Sequence, residues 1–167
     1  RPELSCGSVE FTAPAEYMVR PPMPPVYLAL VEATDSSLRS GILNVVLTSL
    51  RDALDSLPGS DHSRVKFGII TYSSSLQFYS IRAQAERGSL GLRMLVVPDV
   101  EHVSLWSSPD DLPAPVGDLV VNYVECKKQV KHLLSFIPAA VQVPPRGPCT
   151  SSLGAALQTA MLVLGGT

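Results

Sequence analysis

Glu32-Ala33-Thr34-Asp35-Ser36 places an acid and two hydroxyls at alternate positions directly after an apolar run, Val26 to Val31. Oxygen ligands in this pattern suit a hard divalent cation such as magnesium. The end of a buried strand is also where open α/β sheets collect ligands. Thr150, in a later loop, is the candidate for a further hydroxyl. Glu32 is longer than aspartate, however, and would push a cation away from the hydroxyls. The other use of Glu32, Thr34 and Ser36 is local, as helix caps and loop hydrogen-bond partners. The expectation is that this segment binds no metal or other cofactor.

Nucleophilic chemistry needs a hydroxyl or thiol beside a base. Serines are plentiful, but His62, His102 and His132 fall in a loop, a loop and a helix, and no Gly-x-Ser-x-Gly elbow occurs. Gly88, Gly91 and Gly154 build neither a phosphate loop nor a dinucleotide fingerprint. Cys6, Cys126 and Cys149 are odd in number and far apart, with no paired Cys-x-x-Cys. They read as thiols of a reducing compartment rather than a disulfide framework or a zinc site. The expectation is a protein that is not an enzyme.

Composition removes further classes. The 13 Lys and Arg residues are scattered and the net charge is −2, so no basic stripe is available to nucleic acid. The apolar runs are too short to span a bilayer, and Arg1-Pro2-Glu3-Leu4 does not open a secretory signal. Twelve of the fifteen prolines gather at 21–25, 98–115 and 138–148 and punctuate the chain.

Several elements must position these groups. Ser8 to Ala13 alternates like a half-buried strand. Pro21-Pro22-Met23-Pro24-Pro25 is a stiff spacer, and Val26 to Glu32 reads as a strand buried on both faces. The spacing of Leu38, Ile42, Val45, Val46, Leu50, Leu54 and Leu57 predicts one helix from Ser37 to Leu57, capped by Ser36 and closed by Pro58-Gly59. Arg64 to Tyr72 and Leu76 to Ile81, joined by Ser73-Ser74-Ser75, predict a hairpin. Met94 to Val97 predicts a short strand or edge segment. A long loop, 98–118, carries Trp106, either as an exposed contact or as a pin holding the loop. Asn122 is expected to cap a helix ended by Pro138, and Leu153 to Leu164 form a last helix stopped by Gly165-Gly166. The next strand of such a fold would follow residue 167. Strand, helix, hairpin, helix, helix gives an α/β fold: a mostly parallel, doubly wound sheet with an antiparallel hairpin edge.

Most of the chain resembles the cargo-binding adaptors of the COPII inner coat, the Sec twenty-four family. The carriers are Gly7-Ser8-Val9-Glu10-Phe11, Ala13-Pro14 and the long run from Glu16-Tyr17-Met18 through Pro24-Pro25-Val26-Tyr27-Leu28. Leu57-Pro58-Gly59, Phe67-Gly68-Ile69-Ile70-Thr71-Tyr72 and Leu153-Gly154-Ala155-Ala156-Leu157 complete the set. The resemblance implies that residues 1–22 are a lead-in contributing a β-sandwich strand. Residues 23–167 would then be most of a trunk domain of von Willebrand A type, incomplete at its C-terminus.

It implies a non-catalytic role: pairing with the paralogous, GTPase-activating coat subunit, lying on endoplasmic reticulum membrane and COPII vesicles from the cytoplasm, and reading sorting signals on cargo and SNARE tails. A family pocket for acidic signals matches Tyr17 and Arg64 here. The rest of that pocket belongs to a zinc finger outside this sequence, where the family's zinc is expected. In von Willebrand A domains the acid before the hydroxyls is usually aspartate, and Glu32 departs from it. A metal-dependent von Willebrand A adhesion module is the alternative that the Glu32–Ser36 pattern leaves open.

Overall fold

The computed structural model describes residues 5, 7–8, 14–17, 23–56, 64–82, 91–141 and 151–167. Most of the expected lead-in strand, the Pro58-Gly59 stop, His62, Cys6, Cys149 and Thr150 lie outside the described residues.

β1 (Val26–Glu32) starts directly after Pro25, and its apolar run covers both faces. Ala29 and Val31 enter one core, while Val26, Leu28 and Leu30 pack against another. That split is the strand period of two acting on a sequence with no polar face. β2 (Lys66–Tyr72) pairs with β1 in parallel, from Val26↔Lys66 to Glu32↔Tyr72. β3 (Leu76–Ile81) returns antiparallel through the predicted Ser73–Ser75 turn, and β4 (Leu92–Val97) pairs antiparallel with β3.

β5 (Val120–Asn122) lies between the stretch read as loop and the next helix and includes Asn122, read as a helix cap; its three residues were too few to show a period. It runs antiparallel along Lys66–Gly68, so one edge of β2 is divided between two strands. The sheet is therefore not mostly parallel among the described residues, since only the β1–β2 pair is parallel and the other three pairs are antiparallel. A three-residue turn forces β3 back on β2, and only β1 reaches its neighbour through a helical crossover.

That crossover is two helices rather than one. α1 (Asp35–Arg39) and α2 (Ile42–Asp55) meet at Gly41, whose φ of 79° is left-handed. Glycine enters that region without a steric penalty, and the apolar spacing runs through the break without registering it. The N-cap is Thr34, not Ser36. α4 (Lys127–Ala140) starts after Cys126, while Asn122 Oδ1 accepts the Val124 and Glu125 N–H groups in the turn before it. Pro138 sits inside the last turn of α4 rather than ending it.

The two cores are the two faces of the sheet. α2 and α4 cover one, with Leu43, Leu47, Leu54, Val130, Leu133 and Ile137 packed on Phe67, Ile69, Tyr79 and Ile81. The other carries α5 (Leu153–Gly165), α3 (Val116–Leu119) and the 98–114 segment, which bury Ile70, Leu76 and Phe78. Trp106 pins that segment: its ring lies 6.2 Å from Phe78 at 44°, and Gln158 Nε2 donates to its carbonyl.

Candidate functional site

The C-terminal end of β1 brings Glu32, Thr34 and Ser36 together in one loop, beside a cleft of about 330 Å³ that they line with Ser37, Ser40 and Ile42. The hydroxyls there serve the helix. Thr34 Oγ1 accepts the Ser37 N–H at 3.2 Å, and Ser37 Oγ accepts the Thr34 N–H at 3.0 Å, a reciprocal capping box. Ser37 Oγ also donates to the Thr34 and Glu32 carbonyls. Glu32 and Ser36 are exposed, whereas Thr34 is buried.

A second layer of hydroxyls backs this loop. The Ala33 N–H donates to the Tyr72 carbonyl, and Ser152 reaches the Ser73 carbonyl with both its N–H and its Oγ, at 2.9 and 2.7 Å. Inside β2, Thr71 Oγ1 lies 2.8 Å from both Gln77 Oε1 and the Tyr79 hydroxyl. Burial pushes the Tyr79 phenol up, and burial followed by the Glu32 charge does the same to Tyr72. The arrangement is a hydrogen-bonded lock on the β1–α1 loop, the β2–β3 turn and the start of α5. Sequence reasoning missed the Ser73–Ser152 and Thr71–Gln77–Tyr79 links, because their partners are far apart in sequence or on adjacent strands.

Arg64 stands at the opposite end of the sheet from Glu32, as the parallel register of β1 and β2 requires. The start of β2 is held from both sides, by Lys66 N–H on the Pro25 carbonyl and Tyr123 N–H on the Val65 carbonyl, each at 2.9 Å. Arg64 is thus an exposed cation on a fixed stem, beside the end of the proline spacer. Tyr17 closes a 3-10 turn, Ala15–Tyr17, with its N–H on the Pro14 carbonyl and its side chain 77% exposed. Residues 18–22, which join that turn to the spacer, lie outside the described residues.

Among the described residues, no group of three or more His, Cys, Asp or Glu is arranged to hold a metal ion. His102 lies in a short 3-10 turn and His132 on α4, where its ring stacks on Phe136. Cys126 is buried, and burial raises its thiol pKa, which disfavours the thiolate. No described helix is long and apolar enough to cross a membrane.

The family model described as the Sec23/Sec24 trunk domain matches residues 22–167. The chain is 38% identical over 164 residues to the protein transport protein SEC24 A of Arabidopsis thaliana, covering 98% of this chain and 14% of that protein. It is 38% identical over 167 residues to Sec24A of Homo sapiens, covering 100% of this chain and again 14% of the relative. The crystal structure of the human COPII-coat protein Sec24c superposes with a TM-score of 0.70 at 26% identity, over 99% of this chain and 21% of that one. Both the sequence match and the fold extend along essentially the whole chain, which belongs to the Sec23/Sec24 trunk domain family.

Proposed function

We propose that this chain is trunk from a cargo-adaptor subunit of the COPII vesicle coat, acting in transport from the endoplasmic reticulum to the Golgi. The observation that carries the reading is the match to Sec24 transport proteins along the full chain. The role is non-catalytic: the trunk pairs with the paralogous coat subunit, and the coat lies on the membrane from the cytoplasmic side. Residues 1–22 lead in as a sandwich strand, and 23–167 form most of a von Willebrand A-like trunk. The Thr34 hydroxyl supports this reading, because it is engaged with Ser37 in capping the helix after β1.

Cargo reading is assigned to Tyr17 and Arg64, completed by a zinc-binding finger. Arg64 offers a planar fork suited to a carboxylate, and Tyr17 offers a ring and one hydroxyl. The test is light scattering of the protein mixed with the paralogous subunit at micromolar concentration. A stable heterodimer is expected, and a protein that runs alone overturns the reading.

A further inference from the structure

We propose that the outer edge of β4, with the groove between β4 and α4, receives an extended segment of alternating apolar and acidic residues as an added strand. β4 ends the sheet, and among the described residues no strand pairs with its outer edge. An edge of this kind presents a row of backbone donors and acceptors, and main-chain pairing supplies affinity without regard to side chains.

The two faces of that edge differ, and the difference sets the chemistry of the occupant. Leu92 packs into the core under α4, which by alternation puts Met94 and Val96 on the same face. Met94 is 41% exposed, Val96 50% and Phe136 of α4 49%. Met94 and Phe136 border a groove of about 220 Å³ lined also by Tyr79, Leu92, Arg93, Leu133 and His132. Apolar side chains fit there.

The opposite face carries Leu95 and Val97, packed on the second core, and Arg93, which is exposed. Asp118, the carboxylate near the Arg93 cross-strand neighbour Ser80, is held by Arg82 at 3.0 Å. Among the described residues no carboxylate lies within ion-pair distance of Arg93. A strand laid along β4 would therefore put its apolar residues against Met94, Val96 and Phe136. Its alternate residues would stand beside Arg93, where opposite charge across a strand pair is favourable. Tyr17 and Arg64 play no part in this site, so it stands or falls separately from the cargo pocket.

The experiment uses a fluorescent octapeptide of alternating valine and glutamate, capped at both ends, with anisotropy as the readout. Three controls accompany it: the valine–lysine peptide, the valine–glutamate peptide with alternate amides N-methylated, and the Arg93→Glu and Phe136→Ala proteins. Saturable binding is expected for valine–glutamate alone. It should be lost on N-methylation, and weakened roughly fivefold or more by Arg93→Glu, about what one partly exposed charge pair supplies. The lysine peptide should gain on the Arg93→Glu protein. No saturable binding up to millimolar peptide, or binding indifferent to both N-methylation and Arg93→Glu, overturns the proposal. Self-association of the protein that Arg93→Glu abolishes also overturns it, because the edge then belongs to a second copy.

Discussion

Gly68 lies against the carbonyl of Leu119, so closely that a Cβ at position 68 would stand 2.6 Å from that oxygen and 3.0 Å from Leu28 Cδ1 and Val120 Cγ2. The Leu119 carbonyl is backbone and cannot swing away. This contact is what lets β5 pair with the first half of β2. Gly68→Ala is therefore expected to cost roughly 1–3 kcal/mol through overpacking. Thermal unfolding of the purified protein checks it, and an unchanged melting temperature would refute the close approach.

Thr34→Val keeps the shape of the side chain and removes the acceptor that caps Ser37 N–H. The expected loss is about 1 kcal/mol, the usual value of an N-cap, or roughly 2–4 °C in Tm for a chain of this size. Ser36→Ala should leave Tm unchanged. Equal effects at the two positions would contradict the capping assignment.

Asp55 ties α2 to α4, with Lys131 Nζ at 2.7 Å and Lys127 Nζ at 3.1 Å. The hydrogen bonds from Lys131, then Lys127, lower its pKa from the ordinary 3.8 to about 2. The unfolded chain then binds the proton more readily than the folded one between those values. The stabilisation is thus complete above about pH 4 and fades as pH falls toward 2. Comparing Tm against pH for wild type and Asp55→Asn should show a gap that closes across this window and narrows with added salt, the pair being exposed. A gap constant from pH 4 to pH 2 would rule the linkage out.

Magnesium and manganese are expected to leave the protein untouched. The Thr34 hydroxyl is already a cap, and among the described residues no group of three or more His, Cys, Asp or Glu is arranged to hold a metal ion. Titration calorimetry that detected a site tighter than about 0.1 mM would restore the adhesion-module reading.

Arg64→Ala should weaken an acidic sorting peptide by about tenfold, the effect of one charge-assisted contact, with fold and coat pairing intact. Arg64→Lys should recover part of the loss, since an ammonium cannot reproduce the two-pronged contact. The measurement needs protein that includes the zinc finger. Unchanged affinity in both Arg64→Ala and Tyr17→Ala would remove these residues from the pocket.

The long periodic segments were legible in the sequence. Val26 to Glu32, the hairpin across Ser73–Ser75 and the span of the last helix stand as read, because tertiary structure only reinforces their local preference. Leu153, Leu157, Met161 and Leu164 of that helix are nevertheless exposed, and Thr159 and Val163 are buried instead. The misreadings have separate physical origins. Gly41 breaks a helix that the apolar spacing read as continuous, and beyond it α2 buries Leu43, Leu47 and Leu54 while Ile42, Val45 and Val46 of the expected stripe are exposed. Thr34 and Ser36 are equally good caps by type, and the choice falls to the one whose hydroxyl is buried against Ser37. β5 exists because β2 offers it half an edge, and its own three residues carry no signal. Of the candidate site, the sequence located the β1 loop but could not show that the Thr34 hydroxyl was engaged by Ser37.

The shared edge of β2 also orders events in time. Ile70–Tyr72 need only the short turn at Ser73–Ser75 to meet β3, whereas Lys66–Gly68 wait for a strand that arrives after β4 and the 98–119 stretch. Closing the longer loop is the slower and entropically dearer step, each doubling of length adding roughly 0.6 kcal/mol. Two halves of one strand therefore mature at different moments, the hairpin half early and the β5 half late. Truncating Val121 should then hasten unfolding while leaving the folding rate nearly untouched, whereas truncating Phe78 should slow folding itself.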